Sequence, residues 1–194
     1  MNLPNKLTVL RIILTPIFMA LMLIEFPCHY LLALIVFAVA AFTDMLDGKI
    51  ARARNLVTSF GKFLDPLADK MLTTSAFLGF IAHGIGWQIT WVVFIVLFRE
   101  FLISSLRLIV VSSAGNKVIA ANIWGKLKTV TQIAAIVLGI AFAQVKEWFF
   151  VDGGLIEKGL DIGFNVVLWA STVLCVISGI IYLMQNKEFV NTTK

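Results

Sequence analysis

Apolar runs of roughly helical-span length recur along this chain, separated by short polar interruptions. Six can be marked: about Asn5–Ile24, Tyr30–Ile50, Phe63–Ala82, Ile89–Ser112, Ile119–Ala143 and Phe164–Met184. Each is close to the ~20 mostly apolar residues that an α-helix needs to cross a bilayer core about 30 Å thick. The pattern predicts an all-α, polytopic membrane protein with about six transmembrane helices. No internal repeat, low-complexity tract or soluble segment interrupts it, so residues 1–194 are expected to form a single integral membrane domain.

Composition strengthens this reading. Of 194 residues 60% are hydrophobic and 14% charged, with a mean hydropathy of +0.96. A soluble domain usually carries about a quarter of its residues charged, so there is too little polar material to cover a water-soluble globule. The first run resembles a secretory signal, with basic residues before an apolar stretch. No small-x-small cleavage site precedes Glu25 and Pro27, and a retained first helix is expected.

Net charge is +5. No basic stripe with interleaved aromatics supports nucleic-acid binding, and in a membrane protein such an excess reports topology and contact with anionic lipid. Lys6 and Arg11, then Lys49, Arg52, Arg54 and Lys62, then Lys117, Lys126 and Lys128, and finally Lys187 and Lys194 fall on one side. The connections 25–29, 83–88 and 144–163 fall on the other. With six spans both termini are expected in the cytoplasm, in the cell membrane. His29 and His83 lie near the opposite face and are not expected to be ligands. Cys28 and Cys175 show no metal or redox spacing. Trp87, Trp91, Trp124, Trp148 and Phe149 sit near span ends, as interfacial anchors do.

The polar residues are concentrated between spans two and three, in TDMLDGKIARARNLVTSFGKFLDPLADK, Thr43 to Lys70. Asp44 and Asp47 are three apart, Asp65 and Asp69 four apart; on helices each pair shares a face. Four uncompensated carboxylates at a bilayer edge are costly, and hard divalent cations prefer such oxygen ligands. One or two Mg²⁺ or Mn²⁺ ions are therefore expected. Gly48 allows a ligand close to the backbone, and Arg52, one turn on, can pair with phosphate oxygens. Gly61 is expected to break the chain before the third span, with Pro66 in that helix's first turn. Two alternatives compete. A merely charge-balanced connection does not explain regular spacing on both sides of the turn. An ion-coupled transporter predicts carboxylates near mid-span rather than at one end.

The segment reads D-x2-D-G-x2-A-R-x8-G-x3-D-x3-D, filled by Asp44, Asp47, Gly48, Ala51, Arg52, Gly61, Asp65 and Asp69. This resembles the signature of the CDP-alcohol phosphotransferases, membrane enzymes of phospholipid synthesis, at all eight fixed positions. The resemblance implies a CDP-linked lipid donor, a divalent metal pair held by Asp44, Asp47 and Asp65, and Asp69 both assisting the metal and acting as general base. It implies that Asp44, Gly48, Arg52 and Gly61 line the CDP-lipid site, and that the protein is a homodimer.

Basic residues outside the signature bear on the acceptor. Arg99 and Arg107, eight apart in FREFLISSLRLIV, and Lys126 and Lys128 in GKLKT are expected to grip an acceptor that carries its own phosphate. The competing reading is structural, with an Arg99–Glu100 pair and Arg107 on lipid phosphate. The arrangement REF…LR…GK-KT and the opening LPNKLTVLRI are similar to those family members that make phosphatidylglycerophosphate. That likeness implies transfer from CDP-diacylglycerol to sn-glycerol 3-phosphate, with CMP released. Inositol phosphate, serine or phosphatidylglycerol remain alternative acceptors. The opening segment, with Asn5, Thr8 and Arg11, is expected either to close over the lipid headgroup or to anchor at the membrane surface.

Overall fold

The computed structural model describes residues 2–53, 59–113, 123–149 and 154–186, with side chains left undescribed at 45–53, 59, 60, 62, 63 and 108–113. The described residues form six α-helices: α1 (Leu3–Leu23), α2 (His29–Ala53), α3 (Ser59–Ala82), α4 (Ile89–Ser113), α5 (Ile123–Phe149) and α6 (Leu155–Gln185). No strand occurs among the described residues. Within the described residues all six apolar runs are helical, and the molecule is an all-helical, polytopic membrane protein. By length and composition α1, α5, α6 and the Ile89–Arg107 part of α4 can cross a bilayer alone; the apolar stretch of α2 is shorter, His29–Asp44. Large apolar side chains such as Ile13, Ile17, Ile35, Phe94, Phe98, Phe101 and Val166 are exposed, a surface suited to lipid tails.

Two boundaries differ from expectation. Residues 144–163 were expected as a loop, yet α5 runs to Phe149 and α6 starts at Leu155. Lys146 in the last turn of α5 and Glu157 in the first turn of α6 each complement their helix dipole. They also pair with each other, Nζ to Oε1 at 3.0 Å. The aspartate segment is also more helical than expected. Because α3 begins at Ser59, Gly61 is its third residue and Pro66 its eighth, beyond the first turn. Pro66 lacks the N–H that would reach the carbonyl four residues back, so that helix turn is held by its neighbours. Arg54, Lys117, Lys187, Lys194 and Asp152 lie outside the described residues.

The chain divides into two compact units. The first comprises Met1–Ile85 with Ile136–Leu160. Here α1 packs against α2 and α3, and its buried residues Asn5, Thr8, Arg11, Thr15, Phe18 and Met22 recur every three or four positions, with Pro4 beside Asn5. The stripe is polar at its start and apolar at its end. At the apolar end Phe18 meets Phe37, ring centroids 5.5 Å apart, and Met22 lies against Gly79, where an added Cβ would come within 2.9 Å of its Cε. Small buried residues, Ala33 and Ala40 on α2 and Ala68 and Ala76 on α3, permit the close approach that helix association in lipid relies on.

The end of α1 is also tied by hydrogen bonds. Nδ1–H of His29 donates to the Leu21 carbonyl at 3.2 Å, and Nε2–H of His83 to the Met22 carbonyl. These are carbonyls that a helix end leaves without partners, so both histidines serve as caps. Gln144 does the same for α2, accepting from Leu31 N–H at 2.7 Å while its amide donates to Glu147 at 2.8 Å.

The second unit comprises Gly86–Ala135 with Asp161–Lys194. Gly86 turns the chain at φ 102°, a conformation open to glycine, against Leu168 and Phe164 of α6. Asn165 of α6 accepts from Trp87 N–H at 2.6 Å, and the Trp169 indole donates to the Trp87 carbonyl at 3.2 Å.

Candidate active site

In the first unit the carboxylates sit on continuous helices, as their spacing requires. Asp44 and Asp47 belong to α2, Asp65 and Asp69 to α3. Asp44 is about half exposed, Asp65 and Asp69 are exposed, and Gly61 is buried near the start of α3. The side chains of Asp47 and Arg52, like the surroundings of Gly48, fall outside the described residues, although all three positions are helical in α2.

The polar half of the α1 stripe meets both aspartate helices. Arg11 has no solvent exposure, and its Nη1 lies 2.6 Å from Oδ1 of Asp44. The Thr8 hydroxyl is 2.7 Å from Oδ1 of Asp65 and 3.1 Å from the Pro4 carbonyl. A hydroxyl has one proton, and the shorter, charge-assisted bond to the carboxylate is the stronger of the two. Thr15 turns its hydroxyl back to the Arg11 carbonyl at 2.9 Å. The opening helix therefore faces Asp44 and Asp65, and its Asn5, Thr8, Arg11 and Thr15 are buried rather than laid on a membrane surface. The signal for this was present in the sequence: Asn5, Thr8, Arg11 and Thr15 follow a three-three-four spacing in an otherwise apolar span. Polar groups in such a span face a partner.

The donor set fits a hard divalent cation. Asp44 and Asp65 each have one oxygen engaged by α1, and a carboxylate has further lone pairs on both oxygens. Among the described residues no three acidic, histidine or cysteine side chains form a ligand group; the Asp47 carboxylate is outside that description.

The second unit holds a cluster of opposite character. Glu100 of α4 accepts on Oε1 from Arg99 Nη1 at 2.9 Å and from Lys128 Nζ of α5. Arg99 Nη2 donates to the Ser178 hydroxyl of α6 at 2.6 Å. The next residue, Gly179, leaves room for the Arg99 stem, since a Cβ there would stand 3.1 Å from Cγ. Two cations share one carboxylate, and Arg99 Nε–H is buried with no hydrogen-bond partner among the described residues. That leaves a surplus positive charge and an uncommitted donor. Of the four basic residues expected to act together, Arg99 and Lys128 converge on Glu100, while Arg107 and Lys126 are exposed and outside this cluster. Ser178 and Gly179 could not be anticipated, because nothing in α6 marks which small residue faces α4.

The model for the CDP-alcohol phosphatidyltransferase family matches residues 1–177, and the chain belongs to that family of transferases of phospholipid synthesis. Its members generally depend on a divalent metal. Among its relatives is the CDP-diacylglycerol–glycerol-3-phosphate 3-phosphatidyltransferase of Bacillus subtilis, 36% identical over 99% of this chain and 98% of that protein. Proteins of the same name from Rickettsia bellii (32% identical, 97% of each chain) and Haemophilus influenzae (31%, 96% of this chain and 94% of that protein) are similarly related.

Proposed function

We propose that this protein transfers the phosphatidyl group of CDP-diacylglycerol to sn-glycerol 3-phosphate, giving phosphatidylglycerophosphate and CMP. What carries this reading is that relatives bearing that activity in their names match nearly end to end. Asp44, Asp47, Asp65 and Asp69 hold Mg²⁺ or Mn²⁺, one ion or two. Bound there, the metal offsets the charge of the donor pyrophosphate and of the departing CMP. Gly48, Arg52 and Gly61, with Asp44, take the cytidine diphosphate part of the donor.

Asp69 removes the proton from the acceptor hydroxyl. The hydroxyl oxygen forms a bond to the lipid-side phosphorus, and the bond from that phosphorus to the CMP oxygen breaks, with its electron pair leaving on CMP. The displacement is direct. Arg99 and Lys128, with Arg107 and Lys126, serve the acceptor's phosphate; the surplus charge and the uncommitted Arg99 Nε–H favour an anionic acceptor over serine. The reaction takes place on the cytoplasmic side of the cell membrane, with six spans, cytoplasmic termini and a homodimeric assembly.

The test is an acceptor screen with purified protein, CDP-diacylglycerol and Mg²⁺ or Mn²⁺. CMP release is expected with glycerol 3-phosphate and not with serine, inositol phosphate or phosphatidylglycerol. Release with another acceptor alone reassigns the substrate. Metal-dependent ion flux in proteoliposomes without any CMP release returns the transporter alternative.

A further inference from the structure

We propose that Thr8 and Arg11 of α1 are positioning residues for the divalent-cation site, and that Arg11 doubles as its resident counter-cation. The inference rests on the reading of the aspartates given above and adds a third helix to the site. The observation behind it is a symmetry of contacts. Each aspartate helix has one carboxylate oxygen held from α1: Oδ1 of Asp44 by Arg11 and Oδ1 of Asp65 by Thr8. Thr8 and Arg11 are three apart, so one helical face reaches both.

Holding one oxygen restricts the carboxylate and leaves its other oxygen available to an ion. Groups that fix ligands in this way typically affect metal affinity by about 10- to 100-fold. The two contacts differ in charge, and this makes them separable. Thr8 contributes orientation alone. Arg11 contributes orientation and a full positive charge, placed with no solvent exposure beside Asp44. In protein without metal that charge balances carboxylates which would otherwise repel each other. When the ion is bound, the same charge opposes it. Removing Arg11 therefore costs most in the metal-free protein, and added cation recovers the loss.

The experiment measures Mn²⁺ binding to purified, detergent-solubilised full-length protein by electron paramagnetic resonance, and its melting temperature with and without Mn²⁺, in the absence of CDP-lipid. Thr8→Val is expected to weaken Mn²⁺ binding about tenfold, and Thr8→Ser to restore it. Arg11→Met is expected to melt lower than wild type without metal and to show a larger Mn²⁺-induced rise, opposite in sign to the change in Thr8→Val. Arg11→Lys, which keeps the charge, should lie between Arg11→Met and wild type. Should Arg11→Met not fold, the Thr8 pair and Arg11→Lys carry the test. Unchanged Mn²⁺ isotherms and melting shifts across all variants overturn the proposal while leaving the metal site intact. Absence of Mn²⁺ binding by the wild type overturns the aspartate reading itself, and the inference with it.

Discussion

The two units balance charge in mirror fashion. In the first, the buried guanidinium of Arg11 is set beside the Asp44 carboxylate of α2. In the second, a single carboxylate, Glu100, is set between two cations, Arg99 and Lys128. Among the described contacts, one cation meets the aspartate helices in the first unit, and one carboxylate is shared by two cations in the second. A site that is fully neutralised has no remaining attraction for an ion. One that is left wholly unbalanced inside a bilayer protein is expensive to fold. An opposing residue in each described cluster, Arg11 in one and Glu100 in the other, keeps that cost tolerable.

This comparison is open to direct attack. The largest effect is expected from Asp69→Asn, which removes the proposed base. Turnover should fall by about 10²- to 10⁴-fold with little change in KM for the CDP-lipid; steady-state kinetics showing near-normal kcat would remove Asp69 from the chemistry. Glu100→Gln should be next. It leaves Arg99 and Lys128 facing each other across a neutral amide, lowering the melting temperature by roughly 5–10 °C. Glycerol 3-phosphate or inorganic phosphate should then stabilise the variant more than it does wild type, since an anion supplies the missing charge. Equal stabilisation of both proteins in a thermal-shift titration would show that the cluster is a structural pair without a ligand. The smallest effect belongs to Gly179→Ala. Its Cβ would press on the flexible Arg99 stem, and the expected outcome is a roughly two- to fivefold rise in KM for glycerol 3-phosphate at constant kcat.

Much of the fold was legible from the sequence because membrane helices announce themselves by length and apolarity, and because every backbone group in lipid must be bonded within the helix. The aspartates were legible for a related reason: charge in such a chain is rare, so its spacing stands out. The ends of helices were less so. Residues 144–163 read as a loop because they are polar, yet Lys146 and Glu157 are polar residues placed where helix dipoles favour them. Partnerships between helices were least legible. That Thr8 reaches Asp65, 57 positions away, or that Arg99 reaches Ser178, 79 positions away, depends on which faces meet. Composition leaves that open, although the polar stripe of α1 did show that some face must be buried.

The two histidine bonds at the far end of α1 have a consequence for the near end. His29 and His83 hold the last carbonyls of the helix, and Met22 is seated against Gly79, so α1 is stopped axially and in rotation. From Arg11 to Met22 the helix then acts as a spacer of fixed length, about 16 Å at 1.5 Å per residue. Its exposed side chains, such as Ile13 and Ile17, are open to substitution, but its count of residues is not. One residue added or removed between Arg11 and Phe18 would swing the polar stripe by about 100° and carry Thr8 and Arg11 away from the aspartates.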